Sequence, residues 1–134
     1  MDFDNEADGR GGCYCGAVTF QFDQRFEAFV NCYCTQCRRA SGAAFTSWVC
    51  PPIQRFVVAG RDSLSVFSIT PNVRRYFCKV CGTYVYSLDA RRPDIVGIPA
   101  GVIATPISGM PTKDFFWADR SPWTATRMLA CMPR

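Results

Sequence analysis

The sequence predicts a mainly β domain, mostly antiparallel, with very little helix. Two observations lead there. Short apolar runs recur along the chain with turn residues between them. Pro and Gly return every few residues after position 42, which leaves no room for a long helix. "AVTFQF" (17–22) opens the series, with Val18, Phe20 and Phe22 on one face of an extended segment. "FEAFV" (26–30), "AFTSWV" (44–49), "RFVVAG" (55–60) and "LSVFSI" (64–69) follow. "VRRYFC" (73–78), "TYVYSL" (83–88), "DIVGI" (94–98) and "DFFWA" (114–118) complete it. Pro51-Pro52, Gly60-Arg61-Asp62, Pro71-Asn72 and Arg92-Pro93-Asp94 mark turns. One helical turn is expected at 35–40, with Thr35 as its N-cap.

The 134 residues suit one domain, assigned to 11–134, after an acidic tail at 1–10 that reads as mobile. The start resembles neither a secretory signal nor a transit peptide, and no apolar run is long enough to span a membrane. A net charge of +4 is too mild to argue for nucleic acid. Nine cysteines, an odd number, argue against a secreted disulfide framework and for metal-binding thiols in a cytoplasmic protein. The absence of histidine restricts any metal to thiolates, helped at most by oxygen or an outside ligand.

Seven cysteines form three groups: Cys13 and Cys15; Cys32, Cys34 and Cys37; Cys78 and Cys81. Residues i and i+2 of an extended segment share a face, so each C-x-C pair can grip one ion. The C-x-x-C turn is relieved by Gly82. Counting ligands gives the simplest partition. Cys13, Cys15, Cys78 and Cys81 close a Cys₄ zinc site, and Cys32, Cys34 and Cys37 leave a zinc site with one open position. Closed sites are structural, and three protein ligands with a vacancy are the usual catalytic pattern. A fourth ligand from Cys50 or Cys131 is the alternative for the second site. Cys50 reads as a small buried hydrophobe, and Cys131 stands near the C-terminus. A redox dithiol at Cys78 and Cys81 would need a βαβ setting, and the spacings fit neither ferredoxin pattern.

Three thiolates on Zn²⁺ leave a net charge of −1, which activates water less than three neutral histidines do. A thiophilic ion instead binds an incoming thiol and holds it as thiolate, although the free thiol, with a pKa of about 8.5, is mostly protonated. The predicted chemistry is making or breaking a carbon–sulfur bond. The partners are a small-molecule thiol and an electrophile. Arg38 and Arg39, beside the open site, are candidates to hold a carboxylate of the thiol. The doublets Arg74-Arg75 and Arg91-Arg92 read mainly as surface, and in a strand at most one of Arg74 and Arg75 can face a given pocket.

"GGCYCGAVTFQF", "NCYCTQCRRASGAAF", "VRRYFCKVCGTYVYS" and "DRSPW" together resemble the glutathione-dependent formaldehyde-activating enzyme family, which includes centromere protein V. The resemblance runs from about Gly12 to Trp123. It implies a β-tent fold of antiparallel sheets, a structural zinc at Cys13, Cys15, Cys78 and Cys81, and a catalytic zinc at Cys32, Cys34 and Cys37. It also implies condensation of glutathione with formaldehyde, formally a carbon–sulfur lyase reaction. The chain departs from the family in carrying Tyr14 and Tyr33 where members commonly have His, and Asp114 where many have another. Competing readings are a non-catalytic interaction module with two structural zincs and, last, methionine sulfoxide reduction, which would need Cys131 as nucleophile.

Overall fold

The computed structural model describes residues 8–124. Ten strands form three small sheets. The first orders β1 (Asp8–Gly12), β2 (Thr19–Asp23) and β5 (Val57–Ala59). The second orders β10 (Lys113–Phe115), β3 (Ala28–Cys32), β4 (Thr46–Cys50) and β9 (Ile98–Pro99). The third orders β6 (Leu64–Ser68), β7 (Val73–Cys78) and β8 (Tyr84–Asp89). All neighbours are antiparallel except β10, which pairs parallel to β3. One α-helix, α1 (Thr35–Ser41), and four single 3₁₀ turns complete the described residues. None of the described helices is long and apolar enough to cross a membrane.

The alternation expected in 17–22 is met: Val18, Phe20 and Phe22 are buried together with Val49, Val85, Val96 and Ile98. Each such side chain contributes about 1.5–3 kcal/mol on burial. Cys13 and Cys78 belong to the same cluster, so the core grows directly onto the first thiol group.

Three expectations are corrected. Residues 8–10, assigned to the tail, lie in β1, where Gly9 and Gly11 pair with Phe22 and Phe20. A Cβ at either glycine would strike the ring it faces, so the missing side chains let β1 lie on the core. Residues 1–7 lie outside the described residues. The strand expected at 94–98 shrinks to Ile98–Pro99. Its upstream backbone bonds to three different places: Ile53 N–H to Asp94 O, Val96 N–H to Pro51 O, and Ser87 with Gly97 in both directions. The strand expected at 114–118 ends at Phe115 because Phe116 is left-handed (φ 57°), after which Trp117–Asp119 turns as 3₁₀ helix.

Gly60 closes the β5 turn at φ 83°, and a Cβ there would drive into the carbonyl oxygen of Ala17, next to the first thiol loop. Gly60→Ala is therefore expected to lower the thermal midpoint by several degrees, because strain and a backbone clash add. Gly109→Ala, with a similar φ of 81° but open space around it, should cost less. Equal midpoints for the two variants would refute the clash.

Candidate metal centres

The first group assembles at the edge of the core. Cys13 and Cys15 flank a tight loop closed by Gly16 N–H to Cys13 O (3.1 Å) and Cys13 N–H to Val18 O (2.9 Å). Cys78 and Cys81 flank the turn between β7 and β8, closed by Gly82 N–H to Cys78 O (2.7 Å) with Gly82 at φ 81°. The four sulfurs lie within 4.8 Å of one another, with Cys13–Cys15 at 3.6 Å and Cys15–Cys78 at 3.7 Å. A tetrahedron with Zn–S bonds of about 2.3 Å has S···S edges of about 3.8 Å. A disulfide would need about 2.05 Å. The donor set therefore fits a tetrahedral thiophilic ion. Val18 N–H donates to Cys13 Sγ at 3.3 Å, and the Cys81 thiol is pushed down to about 5, first by the Thr83 hydroxyl. Both stabilise thiolates.

The second group sits where β3 runs into α1. Cys32 ends the strand, Cys34 caps the helix and Cys37 lies one turn in; their sulfurs fall within 4.8 Å of one another. Thr35, the expected N-cap, is instead the first helical residue, because the Cys34 Sγ accepts the Cys37 N–H at 3.3 Å. Gly42 ends the helix in the left-handed region, with its N–H on Arg38 O (2.8 Å). Cys50 belongs to neither group, and Cys131 lies outside the described residues. Among the described residues this cluster offers three thiols and no fourth ligand.

The Cys37 thiol is pushed down to about 5. The hydrogen bond from Cys32 acts first, against burial, and Trp48, Cys34 and Arg75 add to it. Cys32 moves the other way, raised by sharing that proton and by burial. Arg75 is 8% exposed, with NH2 3.7 Å from Cys37 Sγ and its guanidinium carbon 5.6 Å and 5.1 Å from the Trp48 and Tyr84 ring centroids. A buried arginine against a thiolate offsets the −1 charge expected of a metal held by three thiolates.

Two thiol groups of this spacing and geometry, in this order, limit the choice of family, and residues 8–119 match the glutathione-dependent formaldehyde-activating enzyme family. The chain belongs to that family. A Halomonas elongata protein, provisionally named as a glutathione-dependent formaldehyde-activating enzyme, is 27% identical over 119 residues, covering 84% of this chain and 76% of its own. A Podospora anserina protein with the same provisional name is 36% identical over 56 residues, or 41% of this chain and 26% of its own. A Rhodobacter sphaeroides protein of known crystal structure superposes with a TM-score of 0.62 at 21% identity, covering 76% of this chain and 97% of that one. That likeness shows a shared fold.

Within this family member the arginine doublets divide. Arg38 holds the site together: its Nε donates to Tyr33 O (3.3 Å) and its NH1 to Ser121 Oγ (2.8 Å), tying "DRSPW" to the second cluster. Arg39 is exposed on α1. Arg74 is exposed and Arg75 buried, as alternation in β7 requires. Arg91 pairs with Asp89, and Arg92 with Glu27 and Asp94, on the surface. Of the residues standing where the family commonly has His, Tyr14 is exposed, whereas Tyr33 is buried, with ring centroids 4.8 Å from Phe45 and 4.9 Å from Trp117. Asp114 accepts from Asn31 Nδ2 at 3.2 Å. Sequence reasoning missed Arg75 and Trp48 as neighbours of the open cluster. Alternation says that one of Arg74 and Arg75 turns inward, but not which, nor that the inward one reaches α1.

Proposed function

We propose that this chain is a zinc-dependent enzyme of the carbon–sulfur lyase type. It adds a glutathione-like thiol to formaldehyde or a similar small electrophile, and releases it in reverse. The carrying observation is the three-thiol cluster at Cys32, Cys34 and Cys37, which lacks a fourth ligand among the described residues while the other four clustered cysteines satisfy one another. When bound at those thiolates, zinc would supply a soft coordination position that holds an incoming thiol in its nucleophilic form.

The chain's own residues supply the rest. Arg75, donating to Cys37 Sγ, draws charge off that sulfur and keeps the site from repelling an anionic thiol. Arg39, exposed one residue from the Arg38 anchor, presents a guanidinium for a carboxylate of the thiol; Arg38 positions the rim that such a molecule would meet. With no imidazole in the chain, the thiol proton leaves to water; Asp114 pairs with Asn31 and turns to the sheet face opposite Cys32, whose partner on β10 is Phe115.

Cobalt substitution tests this reading. The protein should take up two metal ions per chain, one released first by a chelator. Glutathione should change the thiolate-to-cobalt absorption of the labile ion alone, and slow its release. An unchanged spectrum at saturating glutathione would sink the thiol-activation mechanism and favour the interaction-module reading, in which both ions are structural.

A further inference from the structure

α1 and the three-stranded sheet β6–β7–β8 border an open cavity of about 480 Å³. Its sheet wall is one face of paired strands: Phe67 opposite Arg75, and Phe77 opposite Tyr84. Ile69 extends that wall, and Ala40 lies on the helix side. Phe67 is 60% exposed, so an apolar wall stands open to incoming molecules. Gln36 and Arg39 give the helix side a polar rim, and Arg75 stands in the apolar part, more than nine-tenths buried, its Nε and NH1 without a hydrogen-bond partner. Its NH2 is spent on Cys37 Sγ. Buried donors left unpaired are costly, the more so when charged, so they mark a place where an acceptor is missing.

Formaldehyde does not account for this cavity. It has two heavy atoms, whereas an apolar cavity of about 150 Å³ already holds benzene. The phenylalanine walls would gain nothing from a one-carbon electrophile. Glutathione accounts only for the rim, where Arg39 can take its carboxylate; it brings no apolar body for Phe67, Ile69 and Phe77.

We propose that this cavity binds the electrophile, and that the electrophile is an aldehyde with an apolar body of roughly six to ten carbons, its carbonyl oxygen on Arg75. The inference rests on the thiol-activating reading above and names its substrate class. The thiol sulfur bonds to the carbonyl carbon, and the C=O π pair moves onto oxygen. The proton that left the thiol ends there, so nothing is oxidised or reduced. A free N–H of Arg75 faces the charge that develops on oxygen, while another N–H of the same guanidinium stays on Cys37.

Benzoate, which has an aromatic body and anionic oxygens but no electrophilic carbon, is the probe for the zinc-loaded protein by calorimetry. Saturable binding at least tenfold tighter than that of acetate is expected. Arg75→Met and the cavity-filling Ala40→Phe should each weaken it at least tenfold, and Arg74→Met should leave it unchanged. Zinc content and far-UV circular dichroism show whether each variant stays folded; Ala40 is exposed on α1, so Ala40→Phe serves if Arg75→Met does not fold. With glutathione as thiol, kcat/KM for phenylacetaldehyde should exceed that for formaldehyde at least tenfold. Absent benzoate binding, binding indifferent to Ala40→Phe, or a preference for formaldehyde overturns the proposal. If glutathione still perturbs the labile cobalt in those cases, the thiol-activating reading stands and only the substrate class falls.

Discussion

Cys78→Ser is expected to abolish cooperative folding. Cys78 is fully buried at the end of β7, within the core cluster that also contains Val18, Phe22 and Val85. Its sulfur belongs to the quartet that ties the loop at 13–15 to the turn at 78–81. Two losses add. The first is the metal itself: structural zinc contributes about 10–16 kcal/mol at neutral pH, comparable with the whole stability of about 5–15 kcal/mol of a domain this size. The second is a buried hydroxyl without its ion, costing about 1–3 kcal/mol. Together they exceed what the short strands retain, because among the described residues no sheet has more than four strands. Thermal unfolding followed by near-UV circular dichroism, with metal content per chain, checks this. A variant that melts cooperatively within a few degrees of the parent would mean that the quartet is not a structural site.

Much of this quartet was legible because its geometry is local. C-x-C in an extended segment and C-x-x-C at a glycine-relieved turn fix which sulfurs face together, and arithmetic over the groups pairs the first with the third. The alternating run ending in Phe22 was legible for the same reason. What stayed hidden was decided at a distance. β1 has no side-chain pattern, since "DGRGG" is read only through the phenylalanine rings it covers. The parallel pairing of β10 with β3 joins residues more than eighty positions apart, and its early end depends on one left-handed residue, Phe116. Cysteine is not a favoured N-cap, so the capping role of Cys34 had no compositional signal. The inward turn of Arg75 becomes a functional observation only once the third sheet folds against α1.

That capping role makes Cys34→Ser the most informative change at the second cluster, and the one with the largest expected effect on activity. Cys34 has two tasks: its sulfur is one of three grouped thiols, and it accepts the Cys37 N–H that starts α1. Serine keeps the second task, being among the preferred N-caps, and forfeits the first, because a neutral hydroxyl is a poor zinc ligand. The helix should therefore persist while the open site loses its ion. Zinc should fall from two ions per chain to one, and the thermal midpoint should stay within a few degrees of the parent. Activity with glutathione and an aldehyde should fall by more than the 10–100-fold that changes outside the ligand set cost. Cys34→Ala separates the tasks, since it should lose the same ion and also about 0.5–2 kcal/mol of helix stability. Retention of both ions by Cys34→Ser would show that the second cluster is not a metal site. Loss of both ions together with the fold would show that the two centres are not independent, and that the open site is as structural as the closed one.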